Sequence, residues 1–133
     1  MPGITPNEGE TLIANILYAR DLTDRAADLE IGLFTNTTVD ETTGIVDITE
    51  PTGGGYARKD LLDGEWSITG GTAEYADKVW TVTGTDYSAP VYGYFIVTKG
   101  TTPRLLHIQV DNNGPRAMTV GADYTISPNN VVD

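Results

Sequence analysis

In the first twenty residues the apolar side chains fall at Leu12, Ile13, Ile16 and Leu17, the 3.6-residue spacing of one helical face. Ahead of them Asn7 can accept from first-turn N–H groups. Glu8 and Glu10 suit the positive end of a helix, and Arg20 suits the negative end. An amphipathic helix is therefore predicted over residues 8–20. Thr23, Ala26 and Ala27 allow a second helical turn in "LTDRAADL". From Leu29 the period changes to two. "LEIGLFTN" puts Leu29, Ile31 and Leu33 on one face of a strand. Residues 36–55 are rich in Thr, Asp, Gly and Pro and read as a long surface loop anchored by Ile45, Val46 and Ile48.

Strand patterns continue to the end of the chain. "EWSITGGTAEYA" carries Gly70-Gly71, a dipeptide that can supply the positive φ angles of a tight hairpin. "KVWTVTG" sets Val79, Thr81 and Thr83 opposite Trp80 and Val82, while "PVYGYFIVTKG" and "RLLHIQVDN" form a long antiparallel pair. Asn113-Gly114 marks a turn, and "YTISP" closes the sheet with Pro128 as its stop. Seven or eight short strands after one helix give a mainly β fold, an antiparallel β-sandwich or barrel-like domain with an N-terminal amphipathic helix. The 133 residues read as a single domain, with an arm and helix at 1–28 and a β domain at 29–133.

Composition narrows the function classes. A chain of 39% hydrophobic and 20% charged residues can bury a core, and no apolar run reaches the roughly 20 residues that span a bilayer. The opening "MPGITPNEGE" does not have the pattern of a secretory signal, so export by that route is not expected. Without cysteine, packing alone must stabilise the fold. A formal net charge of −11 repels phosphate backbones and anionic lipids, so neither nucleic acid nor membrane is an expected partner.

Candidate chemistry is thin. "TGGGYARKD", residues 52–60, has no Lys-Thr pair and opens no helix of useful length. Its glycines are better suited to a backbone corner after which Tyr56 packs and Arg58 reaches a carboxylate. His107 is the sole histidine and has no nucleophile motif or second ligand near it in sequence; alternation places it with Leu105 and Gln109. The 19 acidic side chains make some carboxylate pair inevitable, so a glycan hydrolase is only a minor reading. "DNNG" has oxygens that suit calcium but not an EF-hand ligand series. Trp66, Trp80, Tyr87, Tyr92 and Tyr94 could stack on sugars, yet strands more often bury such rings. No cofactor is expected.

In chain order, "TPNEGETLIANIL", "IGLFTN", "GGGYARKDL", a Trp followed by a polar hairpin, "VYGYFIV" and "LLHIQV" resemble a group of small virion structural proteins of tailed bacteriophages. The resemblance covers almost the whole chain, and its most specific pieces are "PNEGE" at 6–10, "GGYAR" at 54–58 and "VYGYF" at 91–95. Lys59 stands where the group often has glutamine, which leaves any polar contact there open. The resemblance implies a virion component made in the bacterial host cytoplasm. The form expected is a capsid decoration or cement protein on the outer shell, trimeric and in contact with the major capsid protein. A tail, fibre-adaptor or baseplate component that binds the host surface is the alternative, with receptor contacts in loops 36–55 and 85–89. The group transfers no catalytic residues. Interface candidates are Leu12, Ile13, Ile16, Leu17, Tyr56, Arg58, Tyr92 and Tyr94.

Overall fold

The structure is a computed structural model that describes residues 3–14, 29–100 and 102–131. Strand dominates, all strand pairs are antiparallel, and the described residues contain one short α-helix, α1 (Asn7–Ala14). The mainly β reading holds. The described residues form nine strands, β1 (Leu29–Phe34), β2 (Lys59–Leu61), β3 (Ser67–Thr69), β4 (Thr72–Glu74), β5 (Lys78–Thr81), β6 (Gly93–Thr98), β7 (Leu105–Val110), β8 (Asp123–Ile126) and β9 (Asn129–Val131). They form a four-stranded sheet in the order β2-β1-β6-β7, a three-stranded sheet β3-β4-β9 and a two-stranded sheet β5-β8.

The four-stranded sheet is buried on both faces. Its β6 is an almost continuous apolar run, and all six of its residues are buried. Such a run cannot belong to a sheet with one wet face. Ile31, Leu33, Leu61, Tyr94 and Ile96 pack on one side against Trp80, Val82, Tyr124 and Ile126 of the β5-β8 layer and its flanks. On the other side Phe34, Phe95, Val97, Leu105 and Ile108 pack against Ile4, Val39, Ile45 and Ile48. The loop at 36–50 is thus the cover of a second core. Val46 does not anchor it: this side chain is 91% exposed, because the 3-10 turn at Ile45–Asp47 sets Ile45 and Ile48 against the second core and leaves the two residues between them, Val46 and Asp47, facing out.

Three further differences from the sequence pattern have local causes. Helix α1 begins at Asn7, whose N–H is held by the carbonyl of Glu41, while residues 15–20 of the expected helix and most of "LTDRAADL" lie outside the described residues. The strand pattern does not stop at Pro128: its carbonyl accepts from Tyr75 N, and β9 then pairs with β4. In β7, Ile96 faces His107 but Val97 faces Leu105, so Leu106 is an extra, bulged residue. The bulge turns Leu105 into the second core, away from the face of His107, and breaks the expected alternation. The Gly70-Gly71 hairpin is present, with φ of 57° and 84°.

The free edge of β7 is covered. Ile4 bridges Ile108 through both backbone hydrogen bonds, and α1 lies close enough that a Cβ on Gly9 would meet the carbonyl oxygens of Leu105 and Leu106 at 2.7 and 2.9 Å. A strand edge left open would pair with other chains, so this arm removes one such edge.

Candidate functional site

The glycine corner is a joint in the backbone. Gly53, Gly54 and Gly55 all have positive φ, and Gly54 exchanges bonds with the 83–85 segment: its N–H donates to Thr85 Oγ1 at 3.1 Å and its carbonyl accepts from Thr83 N at 3.0 Å. Ser88 N to Thr52 O, at 2.9 Å, and Thr52 N to Ser88 Oγ, at 3.0 Å, close the other side. These donors serve protein oxygens, as the corner reading requires.

Immediately after the corner, Tyr56 and Arg58 converge on Glu50. Tyr56 OH donates to Glu50 Oε1 at 2.7 Å and accepts from Leu33 N at 2.9 Å. Arg58 grips both carboxylate oxygens, Nε to Oε1 and Nη2 to Oε2, each at 3.0 Å, and lies 3.5 Å from Glu30. Its guanidinium also sits 5.3 Å from the centre of the Phe95 ring. Burial, reinforced by the bond to Glu50, pushes the Tyr56 phenol far above its ordinary value, so it remains a neutral donor. The Arg58 guanidinium is held above its own ordinary value, chiefly by its bond to Glu50. A two-pronged pair of this kind, only about a quarter exposed, is stronger than an isolated surface bridge.

A second polar joint fixes the arm. Glu8 Oε1 accepts from Ile45 N at 2.9 Å and from Leu105 N at 2.5 Å, linking α1 to the second-core loop and to β7. Leu12 is 5% exposed and Ile13 half-buried within the chain itself, whereas Ile16 and Leu17 lie outside the described residues. Tyr94 is also buried, and Tyr92 packs half-buried against the second core. Of the proposed interface residues that are described, Leu12, Tyr56, Arg58 and Tyr94 are thus committed to the chain's own packing or bonding. Trp80, Tyr87 and Tyr94 are core residues, and Trp66 stacks edge-on to Tyr75 at 5.1 Å.

His107 is buried beneath Gly3, and its Nε2 has no hydrogen-bond partner. Burial holds the imidazole down at about 4, against the opposing influence of the Gln109 side chain. It is a neutral packing residue.

One feature was not foreseen from the sequence. Between the 111–114 turn and β8 lies a polar cleft of about 390 Å³, lined by Tyr94, Asp111, Asn112, Asn113, Arg116 and Tyr124 among others. Asp111 accepts hydrogen bonds from Asn113 N at 2.8 Å and Tyr124 OH at 2.7 Å and forms an ion pair with Arg116, Nε to Oδ2 at 3.3 Å. Arg116 in turn lies over the Tyr124 ring at 5.4 Å. "VDNNG" and "YTISP" each read as turn and strand, but nothing in either stretch signals that they meet. Among the described residues no group of three or more His, Cys, Asp or Glu is placed to hold a metal ion, and no helix is long and apolar enough to cross a membrane.

Comparison of the chain with family models, with curated proteins and with solved structures returns no match.

Proposed function

We propose that this chain is a structural component of a tailed-bacteriophage virion, a decoration or cement protein on the outside of the mature capsid. The observation that carries the reading is where the three stretches of the resemblance lie. Glu8 of "PNEGE" ties the helix to β7, Tyr56 and Arg58 of "GGYAR" lock onto Glu50, and "VYGYF" supplies the start of the doubly buried β6. The shared residues are joints of a scaffold, which suits a molecule that works by presenting a rigid shape. The acidic balance suits a position away from packaged DNA. Self-association into a trimer has a candidate seam at β3: it is an edge strand, all three residues are exposed, and Ile68 is 66% exposed. A clamp that binds only the mature capsid seam, in contact with the major capsid protein, would stabilise the shell by mass action.

The second reading is a tail or baseplate component that contacts the host surface. The polar cleft beside the 111–114 turn favours it, since such clefts suit small ligands. Quantitative mass spectrometry of purified particles, with the protein located by electron microscopy, separates the two. Hundreds of copies spread over the shell support the decoration reading; a few dozen at one vertex support the tail reading. Particles that lack the protein would overturn both.

A further inference from the structure

We propose that the cleft between the 111–114 turn and β8 binds a neutral sugar. Its volume of about 390 Å³ lies within the range of about 300–1,000 Å³ found for small-molecule sites. Tyr94 and Tyr124, 8% and 4% exposed, are among its lining residues, and the Arg116 guanidinium lies over the Tyr124 ring. The wall is polar and fixed. Two hydrogen bonds and the ion pair to Arg116 set the Asp111 carboxylate in place without consuming all of its roughly four lone-pair sites. Arg116 faces it with Nε at 3.3 Å, and a guanidinium carries about five N–H donors. Asn112 and Asn113, both exposed, add amides that donate and accept.

A sugar hydroxyl both donates and accepts, so it is matched by a fixed acceptor beside a fixed donor. Asp111 and Arg116 supply that pair at the cavity wall. Other ligand classes fit worse. An anionic ligand would meet the Asp111 carboxylate and a chain of net charge −11. An apolar ligand would leave the polar wall unpaired and pay its desolvation. The inference does not depend on the virion reading, because binding by the isolated chain and copy number in a particle are measured separately.

The test is a titration of the ¹⁵N-labelled chain with glucose, galactose, mannose and N-acetylglucosamine, with glucuronate as the anionic control, each into the tens of millimolar. At least one neutral sugar is expected to move backbone resonances of residues 109–116 and 124–127 in a saturable way, and glucuronate to bind more weakly. Arg116→Ala should weaken binding about tenfold or more, the scale of one hydrogen bond to a charged group. Since Arg116 also steadies Asp111, Asn112→Ala provides a second variant that disturbs no hydrogen bond of the fold, and it should weaken binding severalfold. The proposal is overturned if no neutral sugar shifts the cleft resonances, if glucuronate binds more tightly, or if both variants, still folded by circular dichroism, bind as the parent does.

Discussion

Replacing Gly54 with alanine should destabilise the chain more than a methyl addition at a positive-φ glycine that has open space around it. Gly54 has φ of 60°, and a Cβ built there would lie 2.5 and 2.7 Å from two ring carbons of Tyr87 and 2.9 Å from the Thr85 carbonyl oxygen. The Tyr87 ring cannot swing away. It is 7% exposed, stands edge-on to Tyr56 at 5.7 Å, and its N–H is held by the Met118 carbonyl. The left-handed conformation costs an L-residue about 1–2 kcal/mol, and forcing a methyl into packed side chains adds about 1–3 kcal/mol. The sum, about 2–5 kcal/mol, is a large fraction of the roughly 5–15 kcal/mol that holds a domain together. Gly70 is the control: its φ is 57°, and a Cβ there would meet nothing within 4 Å, so Gly70→Ala pays the backbone cost alone. For a chain of this size about 1 kcal/mol moves the melting temperature by roughly 3–5 °C. Thermal melts followed by circular dichroism should therefore place Gly54→Ala roughly 10 °C or more below the parent and clearly below Gly70→Ala. Equal melting temperatures for the two variants would refute the claim that Tyr87 closes the corner.

Three further outcomes follow from the same geometry. Glu50→Gln should lower stability by about 1–3 kcal/mol in urea titrations, whereas Glu30→Gln, whose contact to Arg58 is longer and single, should cost under about 1 kcal/mol; equal losses would remove Glu50 from its central role. The folded imidazole of His107 resists protonation down to about 4, while the unfolded one titrates near 6.5, so its contribution is complete above pH 6.5 and is lost as pH falls toward 4. That loss is on the order of 3 kcal/mol, it should be absent from His107→Gln, and the single imidazole resonance in NMR should titrate near 4. Leu12→Ala should cost the isolated chain about 2–4 kcal/mol, because the side chain is buried within it. A chain of unchanged stability would instead assign Leu12 to a neighbouring subunit.

What the sequence revealed depended on how local the cause was. The hairpin at Gly70-Gly71, the start of α1 and the β6-β7 pair rest on residues adjacent in sequence, and their patterns announce them. The glycine corner and the reach of Arg58 for a carboxylate were legible too, although the partner, Glu50, was not. The bulge at Leu106 had no signal, since a perfect apolar alternation and a bulged one look alike over six residues. Nor did composition reveal that a loop rich in Thr and Asp covers a second core. Its cover is made by Ile45 and Ile48, and their inward direction comes from a single turn of 3-10 helix. The cleft is the most distant case, because it exists only where the 111–114 turn and β8 come side by side.

The central position of β6 also bears on how the chain is born. β1 pairs with β6 from Leu29↔Thr98 to Phe34↔Gly93, so during synthesis β1 waits for residues up to 69 positions later before its inner edge is satisfied. At about 5–20 residues per second that interval is roughly 3–14 s, during which Leu33 and Phe34 have no strand partner and the first half of β1 has only the three-residue β2. Translation thus delivers β1 long before the strand that forms the middle of its sheet, and this long-range pairing makes completion slower than in a fold built from neighbouring hairpins.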